Sequence, residues 1–209
     1  MEGKEKVCSK SRARYGRIVI LMFLVTLAAA VGAAGSSLTK AKVQKAQKTV
    51  SDHLYVENRG CEAMELNPLR MEEYPEITDA VREYYRQQGE KASFVESYDN
   101  IHVYTKEGRY RNTYVVFAAY DMKIKDIYTK VPGLGTVYVE VDDEGGCQIS
   151  TSVEDEKVKD YIQEIAQHSD VQALMTETQD AYRKAVDSDA LLQEALLDLK
   201  NAYEDSTGS

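Results

Sequence analysis

Tryptophan is absent from this chain of 209 residues, and phenylalanine, proline, cysteine and histidine each occur only three times. With so few histidines and cysteines there is little to build a metal site from. His53, His102 and His168 lie in three separate segments without ligand spacing, which argues against zinc and leaves solvent-facing imidazoles as the expectation. No G-x-S-x-G elbow occurs, nor any assembled pair of nucleophile and base. The glycines of Gly133–Gly135 lack the surrounding Gly and Lys of a phosphate cradle. Asp142, Asp143 and Glu144 lack the oxygen spacing of a calcium loop and read as a turn. Glu154–Lys157 reads as a helix N-terminus, where negative charge is favoured. No catalytic, cofactor or metal residue is therefore assigned, no cofactor is implied, and the chain is read as a non-enzyme.

Positive charge is missing from most of the chain. Residues 1–17 carry a net charge of +4 and residues 40–48 another +4, whereas residues 49–209 carry −17. A body that acidic repels nucleic acid, whose affinity comes largely from Lys and Arg neutralising phosphates.

What is abundant is apolar sequence near the start. Ile18–Ala34 holds no charge, and extension through Leu38 gives 21 residues, enough to cross a hydrocarbon core of ~30 Å at ~1.5 Å per residue. Basic residues on the N-terminal flank place that flank in the cytoplasm and the acidic body outside it. A transmembrane helix over 18–38 and a cleaved signal peptide over 1–34 both fit, the latter through the small residues around Ala28–Ala30 and Val31–Ala33. Either way the body is expected outside the cytoplasm, held to the cell membrane by a single span or secreted after cleavage. Cys61 and Cys147 would then share an oxidising side and could form a bridge or remain free thiols. Residues 39–73 read as a juxtamembrane stalk, whose lysines at 40, 42, 45 and 48 form a solvated face or touch anionic lipid.

Beyond the stalk the pattern is α+β. Pro75 sits at a first helical position, with Ile77, Val81, Tyr84 and Tyr85 at helical spacing and Gly89 as the stop. Asn100–Gly108 alternates as a strand. Residues 113–127 read as the longest strand, with Tyr114, Val116, Ala118, Tyr120, Met122 and Ile124 on one face. The other face starts apolar at Val115, Phe117 and Ala119 and turns polar at Asp121, Lys123 and Lys125. Such a strand is covered on both sides in its first half and on one side in its second. Val131–Gly135 reads as the turn into a strand at Thr136–Val141, and Cys147–Thr151 as a short last strand. Residues 152–205 read as three helices capped at Ser152, at Ser169 or Asp170, and at Ser188, with residues 206–209 as a tail.

The stretches "ESYDNIHVYTKEG", "YVVFAAYDMKIKDIYTKVPGLGTVYV" and "DVQALMTETQDAYRKAVDSDALLQEALLDL" resemble membrane-anchored proteins of Firmicutes whose exported domain is similar to the NTF2-like (cystatin-like) superfamily. The resemblance spans about residues 67–200 and implies an antiparallel curved sheet over 74–151, with one preceding helix and C-terminal helices packed on it. It brings no reaction with it. The seven residues Gly89–Val95 are too few for the second helix that would help to wall a cone-shaped pocket.

Two functions from different classes follow. In the first, an extracytoplasmic module contacts an envelope protein partner, and Tyr84, Tyr104, Tyr114, Tyr120 and Tyr138 are core and rim. In the second, a residual pocket near Tyr120 and Asp121 binds a small ligand or supports weak catalysis.

Overall fold

Pro75 and Glu76 open the first helix: proline loses no hydrogen bond there and the carboxylate faces the positive end of the helix dipole. The computed structural model describes residues 56–207, with side chains through residue 201. In it this helix, α1, spans Pro75–Lys91 and buries Ile77, Thr78, Val81 and Tyr85, a stripe at helical spacing. Five antiparallel strands follow the chain in order: β1 (Arg70–Met71), β2 (Val95–Glu107), β3 (Thr113–Ile124), β4 (Val131–Val141) and β5 (Cys147–Ser150). Register shifts in β2 between Val95 and Ser97 and between Asp99 and His102 mark bulges, which bend the sheet. Three helices close the domain: α2 (Glu156–Ala166), α3 (Ser169–Ser188) and α4 (Ala190–Thr207).

The two faces of the sheet carry separate apolar clusters. On one, Val116, Ala118, Tyr120, Met122 and Ile124 of β3 meet Ile77, Val81 and Tyr85 of α1 and Leu192 of α4. On the other, Val115 and Phe117 meet Val158, Tyr161 and Ile165 of α2 and Val171 and Leu174 of α3. Asp121 and Lys123, later on that same face, are half-buried. The change from two-sided to one-sided cover along β3 is thus as its sequence pattern requires.

Several elements depart from sequence expectation. Val131–Gly135 is the first half of β4, paired with Met122–Ala118, and the turn falls earlier, where Asp126 adopts φ 66°. Local Pro-Gly preference yields because β5 pairs only with Tyr138–Val141, so Pro132 lies in an edge-like stretch where its missing N–H disturbs little. Helix α3 packs against β4 and contributes its first half to one cluster and Tyr182, Ala185 and Val186 to the other. Gly89 lies inside α1 rather than ending it. The caps also shift: Asp155, not Ser152, accepts from Lys157 and Val158 at the start of α2, and Asp189, not Ser188, accepts from Leu191 and Leu192 at the start of α4. His168 precedes α3 with no side-chain cap.

Residues 56–69, read from sequence as stalk, pack onto the domain. Glu57 pairs with Tyr110, and Cys61 and Asn67 are buried. The apolar run at 18–38 and stalk residues 39–55, His53 among them, lie outside the described residues. Among the described residues no helix is long and apolar enough to cross a membrane.

Candidate functional site

The tyrosines converge at one place. Tyr85 of α1, Tyr98 of β2 and Tyr120 of β3 pack ring against ring, with centroids 4.9–5.4 Å apart, and Tyr84 adds an edge contact to Tyr85 at 5.3 Å. Their floor is the glycine pair of β4. A Cβ at Gly133 would meet the edge of the Tyr120 ring, and one at Gly135 would collide with the Tyr85 hydroxyl. Glycine is needed there because no other residue leaves room for the rings. Burial raises the Tyr85 and Tyr120 phenols well above their ordinary value, and burial together with Tyr84 pushes Tyr98 up to about 12. All three therefore stay neutral near pH 7 and supply bulk rather than charge.

Asp121 does not join them. It follows Tyr120 in a strand and so points to the opposite face, where Asn100 Nδ2 donates to its carboxylate at 2.8 Å. Of the other tyrosines singled out by sequence, Tyr114 packs against Tyr74 with ring centroids 4.8 Å apart and the rings tilted by 54°, and Tyr104 is half-buried, while Tyr138 is buried on the α2 side. His102 is exposed 3.5 Å from Glu72, and His168 is half-buried with Nε2 3.1 Å from the Glu62 carbonyl. Asp142 Oδ1 accepts from the N–H groups of Glu144 and Gly146, which makes that acidic stretch a side-chain-stapled turn. No group of three or more His, Cys, Asp or Glu among the described residues is placed to hold a metal ion.

Cys61 and Cys147 are free thiols. They belong to apolar clusters on opposite sides of the sheet, so a bridge would have to pass through it. The Cys61 thiol donates to Glu107 Oε2 at 3.3 Å, and burial reinforced by that carboxylate pushes it up to about 11.

The most concentrated polar chemistry lies where sequence offered no sign of it. Lys106, in β2, has a fully buried side chain whose ammonium donates to the Asn67 carbonyl at 2.6 Å and to Asp170 Oδ2 at 2.8 Å. Asp170, at the start of α3, also accepts from the N–H groups of Leu69 and Val171. Burial alone would raise its carboxyl, but the Lys106 and backbone hydrogen bonds outweigh that and hold it below its ordinary value. Next to this pair, Asn67 Nδ2 donates to the Glu107 carbonyl and to the Tyr161 hydroxyl, and Asn67 Oδ1 accepts from Glu107 N–H. The Tyr161 hydroxyl in turn lies 2.9 Å from the Glu107 carbonyl and 3.1 Å from that of Cys61. A buried lysine is costly unless paired and hydrogen-bonded. Here the network draws on four segments: the arm before β1, the sheet, α2 and α3.

An open groove of about 460 Å³ lies between the β2–β3 and β4–β5 turns, lined by Val56, Arg111, Glu140, Asp142, Asp143 and Cys147 among others. Comparison with family models, with characterised proteins and with solved structures returns no match for the chain.

Proposed function

We propose that this chain is a membrane-anchored extracytoplasmic protein whose domain is a non-catalytic, NTF2-like (cystatin-like) module that contacts an envelope protein. The observation that carries the non-catalytic reading is the fate of Lys106. It is the one charged residue buried among the described residues, and its ammonium is spent on Asn67 and Asp170, which tie the arm to the sheet and α3. The space that a pocket near Tyr120 would occupy is taken by Tyr85, Tyr98 and the Gly133–Gly135 floor, and Asp121 projects to the other side. Bilayer insertion through residues 18–38 is supported by the uncharged run and its basic flank.

Placement is tested with a membrane-impermeant maleimide on intact cells that make the full chain. Label on Cys147 and none on Cys8 is expected, and protection of Cys147 until lysis refutes the topology. The contact role is tested with a photocrosslinking residue at Tyr128, Leu191 or Leu197, which are apolar side chains 95%, 63% and 56% exposed. One discrete adduct with an envelope protein is expected from at least one position. Adducts with none would refute it.

A further inference from the structure

We propose that residues 56–71, with the short strand β1, are a strap that lifts off the domain as a unit while strands β2–β5 and the rest of the two apolar clusters stay packed, and that the Lys106–Asp170 pair is its latch. The strap is held mainly by polar contacts. Val56 accepts from Arg111 N–H and Asn58 donates to Arg109, through its backbone N–H, and to Gly108 and Tyr110, through its side chain. Three successive residues at the start of α3 grip it: His168 at the Glu62 carbonyl, Ser169 at Met64 Sδ and Asp170 at Leu69 N–H. Its two-residue strand pairs only with Tyr104 and Thr105. By contrast, only Cys61 and part of Leu69 enter an apolar cluster from this segment, while Leu66 and Met71 are exposed. A segment with many hydrogen bonds and little apolar burial opens below the free energy of global unfolding.

The latch follows from where water would enter. With the strap in place the Lys106 side chain is sealed and depends on Asp170 and the Asn67 carbonyl. With the strap lifted, the ammonium hydrates and loses little if the pair is broken. Weakening the pair therefore penalises the closed state alone. Along the chain, residue 56 is where the strap begins, so tension applied to the strap from its N-terminal end loads these contacts first. Lifting also uncovers Cys61, 5% exposed when closed, which makes its thiol the reporter.

The experiment uses the full chain with Cys8→Ser and Cys147→Ser, so that Cys61 is the remaining thiol. Maleimide labelling of Cys61 is compared with hydrogen exchange of the β3 amides Val115–Ala119 under native conditions. In this parent chain Cys61 labelling should report a more frequent opening than the β3 amides do. Asp170→Asn should speed labelling about tenfold or more and leave β3 exchange within about twofold. Should Asp170→Asn not fold, Asn58→Ala serves in its place, with a severalfold rise expected. Equal acceleration of labelling and β3 exchange would show that the strap leaves only with the whole domain. Unchanged labelling would show that these contacts do not hold it. Either result overturns the proposal.

Discussion

Replacing Gly135 by alanine probes the packing of the tyrosine cluster most directly. The new Cβ would overlap the Tyr85 hydroxyl, with Tyr85 Cζ next at 3.2 Å. The ring cannot swing away freely, since Tyr120 and Tyr98 flank it with centroids at 4.9 and 5.4 Å. Overpacking of this kind costs about 1–3 kcal/mol, and relief of glycine's backbone entropy returns about 0.5–1 kcal/mol. A net loss of about 1–2 kcal/mol is expected, read from urea unfolding of the full chain by near-ultraviolet tyrosine circular dichroism. Tyr85→Phe deletes the clashing oxygen, so the double variant should recover about half of the loss or more. The resulting coupling of about 1 kcal/mol exceeds the ~0.3–0.5 kcal/mol within which independent sites add. Gly133→Ala with Tyr120→Phe is the control. There the collision is with ring carbons, including Cζ at 2.7 Å, which phenylalanine retains, so no rescue should occur. Additive behaviour in the Gly135 cycle, or equal rescue in both cycles, would refute the account of why β4 carries two glycines.

Lys106→Met takes the ammonium donor from the Asn67 carbonyl and from Asp170, which keeps only its backbone donors Leu69 and Val171. Because Asp170 keeps 27% of its side chain exposed and can hydrate, the loss should be about 1–3 kcal/mol in urea rather than the full value for a sealed pair, and an unchanged midpoint would contradict the burial assigned to Lys106. The Asp170 carboxyl is held below its ordinary 3.8, so its contribution is fully present above about pH 4–5 and is lost as pH falls through the lowered value. Stability should therefore drop more steeply from pH 5 to pH 3 in the wild type than in Asp170→Asn, and parallel profiles would count against the pair. In the unreduced native chain at pH 8, Cys147 should react with a thiol reagent well before Cys61, whose thiol is pushed up to about 11. If neither thiol titrates even in denaturant, the two are bridged and the separation of the clusters is wrong.

The parts of this fold that were legible in the sequence are those where one face meets one environment. The alternation along Thr113–Ile124 carried both the strand and its change of cover, because each side chain there answers to a single packed surface. Helix stripes such as Ile77, Val81 and Tyr85 were legible for the same reason. Capping positions moved by one to three residues because several polar residues stand near each helix start and only packing selects among them. "PGLG" misled because its local preference is for a turn, whereas its glycines serve rings that arrive from Tyr85 and Tyr120, 50 and 15 positions away from Gly135 in the chain.

Lys106 was illegible for a deeper reason. In "HVYTKEG" it stands beside Glu107 near the end of a strand, a position that reads as a solvated edge. What buries it is Asn67, 39 residues earlier, and Asp170, 64 residues later. No periodicity within β2 could announce partners at those separations, and neither partner is distinctive by itself. The same contacts also explain why the segment before β1 reads as a linker. It contributes few apolar residues of its own and is ordered by donors and acceptors that the sheet and α3 present to it. A segment ordered from outside itself leaves little trace in its own sequence, and for that reason it is also the segment whose attachment a single substitution at Lys106 or Asp170 should loosen.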